Sequence, residues 1–318
     1  MRYRDFLGKQ ASVIVMGSTG LGFDSSQRQA NEFLDAYAAL GGNFLDTARV
    51  YGDFAGGVGG IAERAIGNWM AARKNRDALI IGTKGGHPAL SAMGVGRLDS
   101  ESLHSDLSES LDALMTDHVE LYWLHRDDVS RPVGGIMETL NGFIEDGRVG
   151  AIGASNWSPA RIRAANDYAK AHDLVGFCAN QPQFSLANQV MVEDATLCQM
   201  DKEMYDFHRE TGLACIPFSS QAKGFFAKLA QGGVNALSEK AKTRFMTAEN
   251  MAAYDRLVAL SRETGHSVGA LALAYLTCQP FDVYPIVGVS SVAQVEALRE
   301  AGDAVITVEQ AMALRSFD

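Results

Sequence analysis

Short apolar runs alternate with longer amphipathic stretches from one end of the chain to the other. The runs occupy residues 12–16, 43–45, 79–83, 119–124, 151–154, 176–179, 213–218 and 283–287. Each is nearly continuous rather than alternating, the pattern of a strand covered by helices on its outer side. Between and after them, apolar positions recur at helical spacing over 27–40, 61–74, 101–114, 135–146, 159–172, 201–211, 249–264 and 292–301. Helix-end chemistry supports several of these boundaries. Ser158 before Pro159 reads as an N-cap followed by proline in the first turn, while Gly41, Gly42 and Gly147 read as left-handed stops.

Eight strand–helix repeats without a break predict the α/β class and, within it, a (β/α)₈ barrel rather than an open sheet. With 318 residues the chain is long enough for about two average domains. No Pro/Ser-rich linker, charge block or low-complexity segment divides it, however, so residues 1–318 are expected to form one barrel. Two excursions exceed ordinary connectors, 85–100 after the third strand and 221–248 after the seventh. Loops of that length usually carry function.

Composition narrows the function classes. Lys and Arg number 28 against 38 Asp and Glu, a net charge of −10, which argues against a general nucleic-acid or anionic-membrane binder. An anionic ligand would need a local cradle. Cys178, Cys198, Cys215 and Cys278 are widely spaced, as in reduced thiols of a cytoplasmic protein. The N-terminal residues are charged, and the longest weakly polar run, 269–278, is far short of the roughly 20 residues of a membrane span. The histidines show no metal-ligand spacing, so no metal site is expected.

Barrels place their chemistry at the C-terminal ends of their strands. Read in order, those ends carry Asp46 to Tyr51, Lys84, His125, Ser155 with Asn156, Gln181, Phe218 to Gln221, and Gly288 to Ser290. Singly, Asp46 reads as a turn residue, Tyr51 as a loop aromatic, Lys84 as a solvated or Schiff-base amine, and His125 as a structural imidazole. Jointly they form a proton-transfer set. A phenol with a pKa of about 10 is a poor acid near neutrality. A neighbouring ammonium favours the phenolate and eases proton delivery to a developing alkoxide. Asp46 would keep Lys84 charged and aimed, and His125 would orient a carbonyl.

These segments resemble the aldo-keto reductase family. The resemblance is carried by residues 41–52, 80–84, 121–125, 153–157, 180–181 and 285–291, with 15–17 matching the first strand. It implies nicotinamide-dependent reduction of a small carbonyl compound. Tyr51 would be the proton donor, Lys84 and Asp46 would tune it, and His125 would position the carbonyl. The resemblance also places Ser155, Asn156 and Gln181 at the nicotinamide carboxamide and Phe218 against its ring. Ser219, Ser220, Gln221 and Gly224 fall at the pyrophosphate, with Gly288, Ser290, Ser291 and Gln294 at the adenosine end. NADP(H) is the implied cofactor, with NAD(H) as the alternative. Gln294, Ala297 and Leu298 depart from the Arg and the Glu-Asn pair common among NADP(H)-dependent members. An amide supplies no charge for a 2′-phosphate.

Phe54, Trp123 and Trp157 are expected to wall the substrate pocket. Residues 57–62 match a dinucleotide-fold glycine pattern but follow a loop rather than a strand. His125-Arg126-Asp127 matches part of a kinase catalytic loop without its other elements. Two rival functions stay open: an aldolase or lyase using Lys84 as a Schiff base, and a nicotinamide-sensing regulatory subunit. Oligomeric state is not legible.

Overall fold

A computed structural model describes residues 1–53, 59–190 and 194–317. The chain opens with a hairpin, β1 (Tyr3–Phe6) and β2 (Lys9–Ser12), followed by β3 (Val15–Gly17), α1 (Gln27–Ala39), β4 (Phe44–Asp46) and α2 (Ile61–Arg73). Next come β5 (Ile80–Gly85), α3 (Ser100–Leu114), β6 (Val119–Leu124), α4 (Val133–Glu145), β7 (Val149–Ser155) and α5 (Pro159–Ala171). The last third holds β8 (Ala179–Gln181), α6 (Lys202–Thr211), β9 (Ala214–Cys215), α7 (Phe225–Gly232), α8 (Glu239–Phe245) and α9 (Ala248–Thr264). It ends with α10 (Val268–Thr277), β10 (Ile286–Val287), α11 (Val292–Asp303) and α12 (Val308–Leu314).

Eight strands form one parallel sheet in the order β10-β3-β4-β5-β6-β7-β8-β9. Its ends meet: Cys215 bridges Val283, and the N–H groups of Tyr284 and Ile286 donate to the carbonyls of Cys215 and Pro217, each at 2.9 Å. The sheet is therefore a closed (β/α)₈ barrel with no free edge. The expected helix-end chemistry is present except at Gly42, which is not left-handed because Gly41 alone makes the turn. Ser158 Oγ accepts from Arg161 N–H, Pro159 opens α5, and Gly41 and Gly147 have positive φ.

Alternation along each strand positions the site. Phe44, Ile80, Leu121, Ala151 and Ala179 point into the barrel and form its inner core with Val15, Trp123, Ile216, Tyr284 and Ile286. Asp46, Lys84, Ser155 and Gln181 lie at even offsets from these residues, so period-two geometry turns them inward one or two layers higher. Odd-parity residues such as Ile81, Tyr122 and Ile152 pack outward against the helices.

Several elements differ from the sequence reading. The first strand is expected over 12–16, but residues 9–12 belong to the hairpin and the barrel strand starts at Val15. The hairpin plugs the lower end of the barrel: Phe6 and Ala11 join the inner core, and Phe6 stacks on Phe44 with ring centroids 5.5 Å apart. α10 escapes helical-period reading because eight of its ten residues are buried, leaving no polar face. The excursion after β9 holds α7 and α8, and a further long segment, 182–201, follows β8.

Candidate active site

Asp46, Lys84 and Tyr51 meet at the top of the barrel. Lys84, 1% exposed, donates to Asp46 Oδ2 (2.5 Å), the Thr47 carbonyl (2.7 Å) and Tyr51 Oη (3.1 Å). An ammonium has three N–H groups, and each has a partner. Gln181 Nε2 donates to the other Asp46 oxygen at 3.0 Å. Burial opposes the charge on Lys84, yet Asp46 and Tyr51 outweigh it and hold its pKa above the ordinary lysine value. Burial, opposed by Lys84 and Gln181, leaves the Asp46 carboxyl above its usual range.

The loop bringing Tyr51 to this point is tied to β5. Thr47 N–H donates to the Gly82 carbonyl (2.8 Å) and Arg49 N–H to that of Lys84 (3.1 Å). Gly52 then turns the chain at φ +105°, and a side chain there would press into Ile61. Because Tyr51 Oη accepts from Lys84, its own proton is free to point outward toward a substrate.

His125 follows β6, with its ring edge-on to Tyr51 at 5.8 Å between centroids. Burial, reinforced by Lys84, His87 and Arg126, pushes its pKa well below 6.5, so the imidazole is neutral near pH 7. Nδ1 is buried without a partner. A buried lone pair costs less than a buried orphan N–H, so the proton is assigned to Nε2, which is not sealed from solvent. His125 thus presents a donor. Its backbone carbonyl is held by Arg126 Nη1 (2.9 Å) and Asn156 Nδ2 (3.2 Å).

The expected cofactor residues fall into two groups. Ser155, Asn156 and Gln181 adjoin the Asp46–Lys84–Tyr51 cluster and are nearly fully buried. Ser155 Oγ donates to the Gln181 carbonyl (2.9 Å) and accepts from Asn156 Nδ2 (3.1 Å). Asn156 Oδ1 accepts from Cys198 N–H (3.1 Å), so both amide hydrogens and the oxygen of Asn156 already serve the protein. Phe218 is half-buried at the rim of the inner core.

A second group lies on the strand-seven and strand-eight loops. Ser219, Ala222, Lys223 and Gly224 all have positive φ, within one tight loop leading into α7. Ser220 is buried, with Oγ donating to the Ile286 carbonyl (2.5 Å), and Gln221 is half-buried. No side chain caps the N-terminus of α7 at Gly224. The N–H groups of Ala222 and Gly224 close the loop onto the Ser219 and Gln221 carbonyls (2.9 and 2.8 Å), which fixes the preceding segment, Ser219 to Gln221, at the start of an uncapped helix, a fit for a phosphate. Gly288 and Ser290 are exposed, and Ser291 caps α11. Gln294 Oε1 accepts from Ser290 N–H (2.7 Å) and Oγ (3.1 Å), which leaves its NH₂ outward. Leu298, in contrast, is buried in the outer core.

The pocket walls require correction. Trp123 is fully buried beneath the site, and side chains at Gly82 or Gly153 would crowd its ring. It is the barrel floor. Trp157 is also fully buried but packs outward, edge-on to Phe177 at 5.4 Å. Asn156, at φ +62°, breaks the strand alternation that would have turned it inward. Phe54 lies outside the described residues. Sequence reasoning also missed His87, Arg126 and the buried Glu63, whose Oε1 accepts from Thr83 Oγ1 beside Lys84. All three side chains act across loops or helices, and only His87 sits in a segment singled out by length.

Among the described residues no group of three metal-type side chains is placed to hold an ion, and no helix is long and apolar enough to cross a membrane. The profile of the Aldo/keto reductase family matches residues 13–318. A norsolorinic acid reductase of Emericella nidulans is 28% identical over 285 residues, covering 86% of this chain and 68% of that protein. An aryl-alcohol dehydrogenase of Pestalotiopsis microspora is 28% identical, with 91% of this chain and 72% of that protein covered. An aldo-keto reductase of Emericella nidulans is 30% identical, with coverages of 85% and 67%. A family match spanning nearly the whole barrel, strand ends included, places this chain in the aldo/keto reductase family, the nicotinamide-dependent oxidoreductases that act on small carbonyl compounds.

Proposed function

We propose that the protein, as one barrel domain of residues 1–318, reduces an aldehyde or ketone to the alcohol with Tyr51 as the proton donor. The observation that carries this reading is the Lys84 ammonium, shared among Asp46, the Thr47 carbonyl and the Tyr51 oxygen. The nicotinamide, when bound, supplies the hydride. His125 Nε2–H polarises the substrate carbonyl, and the Tyr51 O–H delivers its proton to the oxygen as it becomes an alkoxide. Lys84 then donates to the phenolate left behind, and Asp46 keeps Lys84 in place.

Ser155 and Gln181 would meet the carboxamide, with Asn156 bracing the pair, and Phe218 would offer its ring face. Ser219, Ser220 and Gln221 would hold the pyrophosphate through backbone N–H groups, with Gly224, whose own N–H donates to the Gln221 carbonyl at 2.8 Å, shaping the turn beside it. Gly288, Ser290, Ser291 and Gln294 would take the adenosine end. NADP(H) is the proposed cofactor, and the cytoplasm the proposed location. Fully engaged N–H groups and a raised pKa leave Lys84 no lone pair for a Schiff base, which argues against a lyase. Retention of Asp46, Tyr51, Lys84 and His125 argues against a purely regulatory role.

The test is loss of nicotinamide absorbance when NADPH or NADH is mixed with a panel of aldehydes and ketones. Aldehyde-dependent oxidation supports the proposal. Its absence across the panel, with borohydride trapping of a lysine adduct, would overturn it.

A further inference from the structure

His87 lies two residues beyond β5 and is not needed for the proton transfer just described, yet its surroundings fix it tightly. The Gly86 N–H donates to Asp106 Oδ2 at 2.8 Å. Arg97 spans Asp106 and the His87 carbonyl, donating to the two carboxylate oxygens (2.7 and 3.1 Å) and to the carbonyl (3.1 Å). The His87 ring meets the His125 ring edge-on, with centroids 4.7 Å apart. The His125 ring therefore meets both Tyr51 and His87 at the top of the barrel.

The two imidazoles present opposite hydrogen-bonding characters. His87 Nδ1 lies 2.7 Å from the Pro88 carbonyl, which can only accept, so the proton sits on Nδ1. In the neutral ring Nε2 then carries the lone pair. Burial, reinforced by Arg126 and Arg97 and opposed by the Pro88 hydrogen bond and Asp194, pushes the His87 pKa below 6.5 and keeps the ring neutral. Nε2 has no protein hydrogen-bond partner among the described residues and is not among the sealed polar atoms. Packing alone would be served more cheaply by a phenyl ring, which brings no polar atom to desolvate. A fixed acceptor beside a fixed donor is a recognition pair.

We infer that His87 Nε2 accepts a hydrogen bond from a substrate hydroxyl one or two carbons from the carbonyl that His125 binds. The preferred substrate class is therefore hydroxy-substituted: an α- or β-hydroxy aldehyde or ketone, or an aryl carbonyl with an ortho hydroxyl. This rests on the carbonyl-reductase reading above. A substrate lacking the hydroxyl leaves Nε2 to water, and a methyl ether puts an oxygen without a proton against a lone pair.

The experiment compares kcat/KM for salicylaldehyde and its methyl ether, with NADPH, in the wild type, His87→Phe and His87→Gln. Intrinsic reactivity differs between the two aldehydes, so the readout is the change in their ratio. The ratio is expected to fall about tenfold in His87→Phe, the worth of one buried neutral hydrogen bond. His87→Gln, whose amide oxygen reaches as far as Nε2, is expected to recover most of it. A role for His87 only in packing against His125 would lower both substrates alike. An unchanged ratio in both variants would overturn the inference while leaving carbonyl reduction standing. Absence of turnover of any carbonyl by the wild type would overturn both.

Discussion

Lys84 and Glu63 show how differently two buried charges behave on neighbouring sides of one strand. Lys84 faces the barrel with a partner for every N–H and stays charged. Glu63, fully buried in the first turn of α2, has one oxygen on Thr83 and the other without a partner. Burial, only partly offset by Thr83, Ser110, Arg49 and Lys84, pushes its pKa up to about 7. With the folded pKa above the unfolded one, the folded state binds more protons between about 4.5 and 7, so stability falls as pH rises through that window. The contribution is about 3 kcal/mol and is complete above pH 7. Glu63→Gln is expected to remove that fall. Urea unfolding at pH 5 to 8 checks it, and parallel stability curves for variant and wild type would contradict it. Asp46, Lys84 and His125 were legible in the sequence because each ends an apolar run abruptly. Glu63 was not, since a glutamate opening a helix normally faces water. Trp157 was misread for a local reason, the left-handed Asn156 before it.

At the level of elements, the loops after β9 and β10 differ in how they would hold an anion. The first gathers left-handed residues ahead of α7. The second, residues 288–294, contains no charged side chain and ends in the cap of α11, where Gln294 folds back onto Ser290. That arrangement leaves one exposed amide group in place of a guanidinium. Gln294→Arg is expected to favour NADPH over NADH by about tenfold, the scale of one charge-assisted hydrogen bond. Dissociation constants from nicotinamide fluorescence check it, and an unchanged ratio would place the adenosine end elsewhere. Seven of the eight expected helices begin within one residue of their observed start, six of them behind a capping Ser, Thr or Asp, and α4, which has no side-chain cap, begins two residues earlier. The β1–β2 hairpin, α7, α8, α10 and α12 were not legible. The hairpin is mostly polar and exposed, α7, α8 and α12 are seven or eight residues long, and α10 is apolar all round.

Across the whole molecule one regularity joins fold to chemistry. The same alternation that buries Phe44, Ile80, Leu121, Ala151 and Ala179 turns Asp46, Lys84, Ser155 and Gln181 toward a single point above Trp123. The barrel was legible from the count and order of its repeats, and the rim from its strand ends. How far each side chain reaches was not, because that depends on loop conformation. The net charge of −10 is compatible with an anionic cofactor held by backbone N–H groups and hydroxyls rather than by a basic face. The central claim is that this convergence makes Tyr51 a proton donor backed by Lys84. Tyr51→Phe tests it most directly, through steady-state reduction of an aldehyde alongside a fluorescence titration with NADPH. The variant is expected to lose about 10²- to 10⁴-fold in kcat/KM, with the NADPH dissociation constant changed by no more than about twofold. Near-normal turnover by the variant would contradict it.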